Sequence, residues 1–202
     1  MRRYLCLLLA FLLLCPVSQS SASKPQFLAL IFEGFPSGPE GRILLEGLAR
    51  RDARATFFLW APPWEQGRRI LDGGHEIGLL LPESLNTLSR RQVAAKLRGT
   101  QALLPPCRVR LLLSREACSD GVRQVAKARH LFFQDPGPDL RHNGAPGETV
   151  LNRIQPGDTL RLRASTRTDV TQALYLVDQL RDRGFTLISA SEMARLEQTA
   201  LD

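Results

Sequence analysis

Gly73-Gly74-His75-Glu76-Ile77-Gly78-Leu79-Leu80-Leu81-Pro82-Glu83-Ser84 is the stretch whose reading decides the fold of this chain. Two glycines end a helical pattern that Pro62-Pro63 opens and Ile70 and Leu71 carry, and the apolar run Glu76 to Leu81 follows at once. A helix ended by glycine and followed directly by a strand is half of a βαβ unit. The same alternation continues on both sides. Upstream, Phe27 to Phe32 reads as a strand, Ile43, Leu44 and Leu48 lie on an amphipathic helix, and Ala55 to Trp60 is a second strand. Downstream, Ser89 with Gln92 three residues on is a capping-box signature, and Val93, Leu97, Thr100 and Leu104 then recur at helical spacing.

Strand Val109 to Leu113, helix Gly121 to Ala128, strands Leu131 to Gln134 and Thr159 to Leu162, helix Asp169 to Arg183 and strand Phe185 to Ser189 complete the pattern. Asp135 to Gly147, rich in Pro, Gly and Asp, reads as one long loop. This predicts an α/β domain with a parallel sheet, and strands apolar on both faces suit a barrel or a sheet covered by helices on both sides.

The N-terminus predicts the compartment. Arg2-Arg3 precede the apolar run Tyr4 to Cys15, Pro16 ends it, and Ser18, Ser20, Ser21 and Ala22 follow. This is the pattern of a secretory signal peptide over residues 1–22, leaving one domain over 23–202 in the periplasm or outside the cell. The run is shorter than the roughly 20 residues of a spanning helix, so no stable membrane span is expected after cleavage. A lipoprotein using Cys15 is disfavoured because Leu13-Leu14 lack the small residues of such a site. Loss of Arg2 and Arg3 leaves +5 of the formal charge of +7, nearly all of it arginine. Such a surface suits anionic glycans, headgroups or an acidic partner, and export argues against nucleic acid.

Cys107 and Cys118 stay in the exported chain, where a disulfide between them is an expectation of the compartment. Neither has the further ligands a zinc site needs. No Gly-x-Ser-x-Gly elbow, Walker loop, Gly-x-Gly-x-x-Gly or His-Glu-x-x-His is present. Glu33 and Glu83 could be paired only as a conceivable glycosidase couple.

Four segments carry a resemblance. Ile31-Phe32-Glu33-Gly34-Phe35-Pro36, Arg54-Ala55-Thr56-Phe57-Phe58, Ile70 to Gly78 and Pro156-Gly157-Asp158-Thr159-Leu160 are similar, in order and spacing, to motifs of the polysaccharide deacetylases. These form the NodB-homology group, carbohydrate esterase family four. The resemblance spans about Gln26 to Leu196 and implies a distorted (β/α)7 barrel.

It also implies a site whose chemistry this sequence lacks. The family's metal triad is one Asp and two His, and Gly34, Leu80 and Ser84 stand at those positions. Leu113 stands where the resemblance puts the arginine that orients the base, and Arg163 stands at the general acid. An arginine keeps its proton near neutral pH, so it cannot serve as that acid. Zinc is therefore the family's cofactor but none is expected here. Glu33 alone keeps a carboxylate, at the base position, and two roles stay open for it: a functional group, or a structural partner of Arg163 across the cleft. His75 has a structural role in the resemblance, His130 and His142 read as surface or loop residues, and Asp135 could match an acidic residue of the fourth motif.

The expected function is thus an exported deacetylase-like pseudoenzyme that binds a cell-envelope glycan or partner through Glu33, Trp60, Trp64, Asp135 or Arg163. The alternatives are an active polysaccharide de-N-acetylase whose ligands come from the Asp135 to His142 loop, and a structural subunit whose basic surface meets an acidic envelope partner.

Overall fold

The computed structural model describes residues 25–105, 107, 109–134 and 151–199. The leader read at residues 1–22, together with Asp135 and His142, lies outside them. Seven strands, all paired in parallel, form one curved sheet: β1 (Gln26–Glu33), β2 (Thr56–Leu59), β3 (Glu76–Leu81), β4 (Leu111–Ser114), β5 (Phe132–Phe133), β6 (Thr159–Arg163) and β7 (Phe185–Ile188). Their order is β5-β4-β3-β2-β1-β6, with β7 also paired to β1. The register explains how β1 takes three partners. β7 pairs with Gln26 to Ala29, β2 pairs with Ile31 to Glu33, and β6 pairs with Ala29 to Glu33.

Between the strands run α1 (Pro39–Arg50), α2 (Trp64–Asp72), α3 (Arg90–Ala102), α4 (Asp120–Ala128) and α5 (Arg167–Asp182), and α6 (Ala190–Thr199) comes after the last strand. The strand-helix alternation read from periodicity is therefore the observed architecture, and the sheet has the parallel, barrel-type curvature the resemblance implies. Three elements differ from expectation. A 3-10 turn spans Glu83–Thr87, α6 follows β7, and β5 has only two residues. Both of those residues are exposed, so pairing with β4 rather than burial defines that strand.

Alternation of side chains along each strand divides the interior in two. Leu28, Leu30, Phe32, Phe57, Leu59, Ile77, Leu79, Leu112, Leu160 and Leu162 pack outward with the helices in the main core. On the inner face Ile31, Phe58, Leu111, Leu113 and Ala190 form a second cluster, with Leu80 against it. No helix among the described residues is long and apolar enough to cross a membrane.

The opening stretch can now be read atom by atom. The N–H of Gly74 donates to the Leu71 carbonyl and that of His75 to the Ile70 carbonyl, which is a Schellman closure of α2. It places Gly74 at φ 76°, a left-handed conformation that glycine adopts without penalty. Glu76 accepts a hydrogen bond from the Thr56 hydroxyl at 2.7 Å, from the Ser191 N–H at 3.2 Å and from the Ser191 hydroxyl. Thr56 in turn accepts the Ala190 N–H at 2.9 Å. The second and third motifs thus tie β2 and β3 to the start of α6.

Gly78 has a different reason. A Cβ there would stand 2.4 Å from Cε1 and 2.6 Å from Cδ1 of Phe58, which is fully buried. Gly78→Ala is expected to overpack the inner cluster and cost about 1–3 kcal/mol, read as a lower urea midpoint at unchanged m-value.

Candidate functional site

Barrel proteins present functional groups at the C-terminal ends of their strands, and here that rim gathers arginines around one carboxylate. Glu33 ends β1 with its side chain 1% exposed. Arg115 Nε donates to Glu33 Oε2 at 2.9 Å, and Arg161 Nη1 donates to Glu33 Oε1 at 3.1 Å. Both carboxylate oxygens are therefore engaged by guanidinium groups. Leu160 and Leu162 point into the main core, so Arg161 and Arg163 share the inner face with Glu33. Arg163 is the register partner of Glu33 across the β1–β6 pair and is exposed.

Two expectations are corrected by this geometry. Arg161, not Arg163, pairs Glu33 across the cleft, because Glu33 is nearly buried and Arg161 lies one layer deeper, with its side chain 9% exposed. Leu113 stands where the resemblance implies an arginine beside the carboxylate, and an arginine two residues further on, Arg115, contacts Glu33. Leu113 itself is fully buried in the inner cluster, while Arg115, beyond the end of β4, reaches back over Glu33. Arg115 and Arg161 are thus the two site residues that motif matching missed. The signal for Arg161 was present in Leu160-Arg161-Leu162-Arg163, whose alternation puts both arginines on one face. The signal for Arg115 was not, because it depends on how the chain turns after Ser114.

The residues at the expected ligand positions do not fit a metal ion. Gly34 has no donor atom and sits at φ 86°, with its N–H given to the Phe58 carbonyl. Leu80 packs against the apolar inner cluster, and Ser84 is exposed on the 3-10 turn, where its carbonyl accepts from the Thr87 hydroxyl. Among the described residues no group of three or more His, Cys, Asp or Glu side chains is placed to hold an ion. Zinc, implied by the resemblance, thus has no ligand set in these positions.

Other candidates disperse. Trp60 is half-buried against the main core, whereas Trp64, the first residue of α2, is 48% exposed. Glu83 is exposed on its turn, whereas Glu33 is buried and held by two arginines, so the two carboxylates sit in different environments. His130 lies exposed at φ 53° and lines a hollow of about 310 Å³ with Phe132 and Phe133.

The expected disulfide is not formed. Cys107 and Cys118 are both free thiols. Cys107 lies before β4 and is exposed, and Cys118 lies after it and is half-buried.

His75, from the opening stretch, is structural. It is 6% exposed, meets the Phe57 ring edge-on at 5.5 Å, and neither ring nitrogen has a hydrogen-bond partner. Burial, reinforced by the nearby Arg54 charge, pushes its pKa down from 6.5 to about 4. The fold therefore holds the ring neutral, and its protonation favours the unfolded chain. The associated stability is present above pH 6.5 and is lost as pH falls toward 4. Relative to His75→Leu, the wild-type protein is expected to lose about 2 kcal/mol of unfolding free energy between pH 7.5 and 5, measured by urea titration at both values.

No protein-family model matches this sequence, and no curated protein matches it. Solved structures do. The peptidoglycan deacetylase PdaC from Bacillus subtilis superposes with a TM-score of 0.75 at 20% identity, over 88% of this chain and 94% of that one. BA3943 from Bacillus anthracis, described as a CE4 family pseudoenzyme, gives 0.68 at 20% identity, over 84% of this chain and 66% of that one. A family 4 carbohydrate esterase from Streptomyces lividans, solved in complex with acetate, gives 0.66 at 18% identity, over 80% and 91% of the two chains. The fold of this chain is that of the carbohydrate esterase family 4 polysaccharide deacetylases.

Proposed function

We propose that this protein is exported and serves as a non-hydrolytic glycan-binding domain of the cell envelope, with the strand-end cleft as its binding site. The observation that carries the reading is the state of Glu33. Each of its oxygens is engaged by an arginine, and the neighbouring positions Gly34, Leu80 and Ser84 offer no ligand set for an electrophile. Amide hydrolysis needs an activated water, a polarised carbonyl and a proton for the leaving amine. A single carboxylate already committed to two guanidinium groups supplies none of these.

Binding makes fewer demands. The rim offers Arg115 and Arg163 for polar contacts, and Trp64 offers an exposed aromatic face on which a sugar can stack. The leader pattern at residues 1–22 supports export. The printed descriptions of PdaC, as a peptidoglycan deacetylase, and of BA3943, as a pseudoenzyme, are consistent with an envelope polymer as ligand and with this fold persisting without catalysis.

The test combines three measurements on the purified exported chain: metal content, acetate release from an N-acetylated oligosaccharide with and without chelator, and thermal shift with peptidoglycan fragments. The expected result is no stoichiometric metal, no chelator-sensitive acetate, and a rise in Tm with glycan. Stoichiometric zinc together with chelator-sensitive acetate release would establish an active deacetylase instead. Lack of metal, acetate and thermal shift would leave the structural-subunit reading.

A further inference from the structure

We infer that the strand-end cleft selects acidic glycans, polymers whose sugars carry carboxylate or phosphate groups, over neutral ones of the same backbone. The inference rests on the glycan-binding reading above and names the class of ligand for that same cleft. Among the described residues, two guanidinium groups are ion-paired to one carboxylate on this rim, Arg115 and Arg161 to Glu33, and a third arginine, Arg163, is the register partner of Glu33 on β6.

The three arginines differ in what they leave available. Arg161 is nearly buried and belongs to the scaffold of the cleft. Arg115 has its side chain 44% exposed, and its Nε is fixed by the buried Glu33 carboxylate, so the guanidinium plane is held while its outer edge reaches solvent. Arg163 is exposed and makes no hydrogen bond or ion pair among the described residues. An exposed arginine on its own is usually a solvated surface group. Here one fork is pre-oriented by a buried anion, and a second guanidinium stands at the end of β6, the strand paired with the one that carries that anion.

That arrangement suits planar, bidentate recognition of a carboxylate or phosphate, because less side-chain freedom is lost when the anion binds. Glu33 adds a second constraint. Its buried carboxylate fills the floor of the cleft and occupies the inner edges of Arg115 and Arg161, so the acidic group of the ligand is met at the rim by Arg115 and Arg163 while the sugar backbone lies along it.

The experiment is calorimetric titration of the exported chain with three oligosaccharides of equal length: a neutral N-acetylglucosamine tetramer, a tetramer alternating N-acetylglucosamine with N-acetylmuramic acid, and a tetramer bearing 6-phosphate groups. An acidic tetramer is expected to bind about tenfold more tightly than the neutral one at low salt, with the advantage shrinking as ionic strength rises. Greater affinity for the muramic tetramer would assign the anion as carboxylate, and greater affinity for the phosphorylated one as phosphate.

In Arg163→Gln the ratio of acidic to neutral affinity is expected to fall several-fold, and in Arg115→Gln/Arg163→Gln to approach one. Arg163 makes no contact that folding would miss, so the single variant keeps the test valid if the double one is unstable. Equal affinity for all three tetramers would overturn acidic selectivity and leave glycan binding standing. A preference that survives in Arg163→Gln at full size would also overturn it. Failure to bind any of the three would overturn both readings together.

Discussion

Glu33→Ala is expected to destabilise the protein by about 3–5 kcal/mol, a larger effect than removing a solvent-exposed catalytic base would have. The carboxylate is 1% exposed, and its loss strips Arg161, 9% exposed, of the anion at 3.1 Å while also releasing Arg115. Removing one member of a buried ion pair leaves the other charge desolvated without that counterion, and this is the source of the cost. The double variant Glu33→Leu/Arg161→Leu is expected to recover part of the loss, because it also removes the buried guanidinium charge. Urea denaturation of the two variants and the wild type measures both effects. A change below 1 kcal/mol in Glu33→Ala would show that the carboxylate contributes little to the fold and would undermine its structural role.

Phe57→Ala carries a comparable expected effect, about 3–5 kcal/mol, for apolar reasons. Phe57 is fully buried, stacks on Phe32 with ring centroids 4.9 Å apart, and meets both Phe35 and His75 edge-on at 5.5 Å. Truncation opens a cavity among β1, β2 and the turn after Glu33, and it removes three ring contacts that area alone does not count. For a chain of this size such a loss lowers Tm by roughly 10 °C, which a thermal melt followed by circular dichroism detects. Phe35 lies two residues beyond Glu33, so the variant is also expected to loosen the rim.

How much of this was legible in the sequence depends on the length scale of each feature. Strands and helices were legible because their signals are local. The capping box at Ser89 and Gln92 is present as read, and the helix that Thr166 caps begins close to its predicted start. The final helix, Ala190–Thr199, was missed because it buries only Ala190 and Met193 and its N-terminal turn is fixed by the remote Thr56 and by Glu76. The expectation for Gly34, Leu80 and Ser84 could be drawn from the sequence alone because these residues follow the motifs of the resemblance directly. The Glu33–Arg115 and Glu33–Arg161 pairs have sequence separations of 82 and 128, and no local pattern encodes a contact that three strands must assemble. Assigning Arg163 to Glu33 was the natural reading of strand register, and burial depth reversed it.

The backbone at Gly34 has a consequence for the evolutionary reversibility of this fold. A first step toward a metal site would be an aspartate at that position, where φ is 86° and a Cβ would already lie 3.3 Å from Ser165 Oγ. A side chain there starts with backbone strain, of about 1–2 kcal/mol. A second step, histidine at position 80, would place a ring needing hydrogen bonds beside Ile31, Phe58, Leu111 and Leu113. Neither change has a coordinating partner until the others are in place, so each intermediate is less stable than the chain it came from. Gly34 therefore acts as a ratchet: at the ligand positions the resemblance implies, a side chain at 34 or a histidine at 80 costs stability before any coordination could offset it.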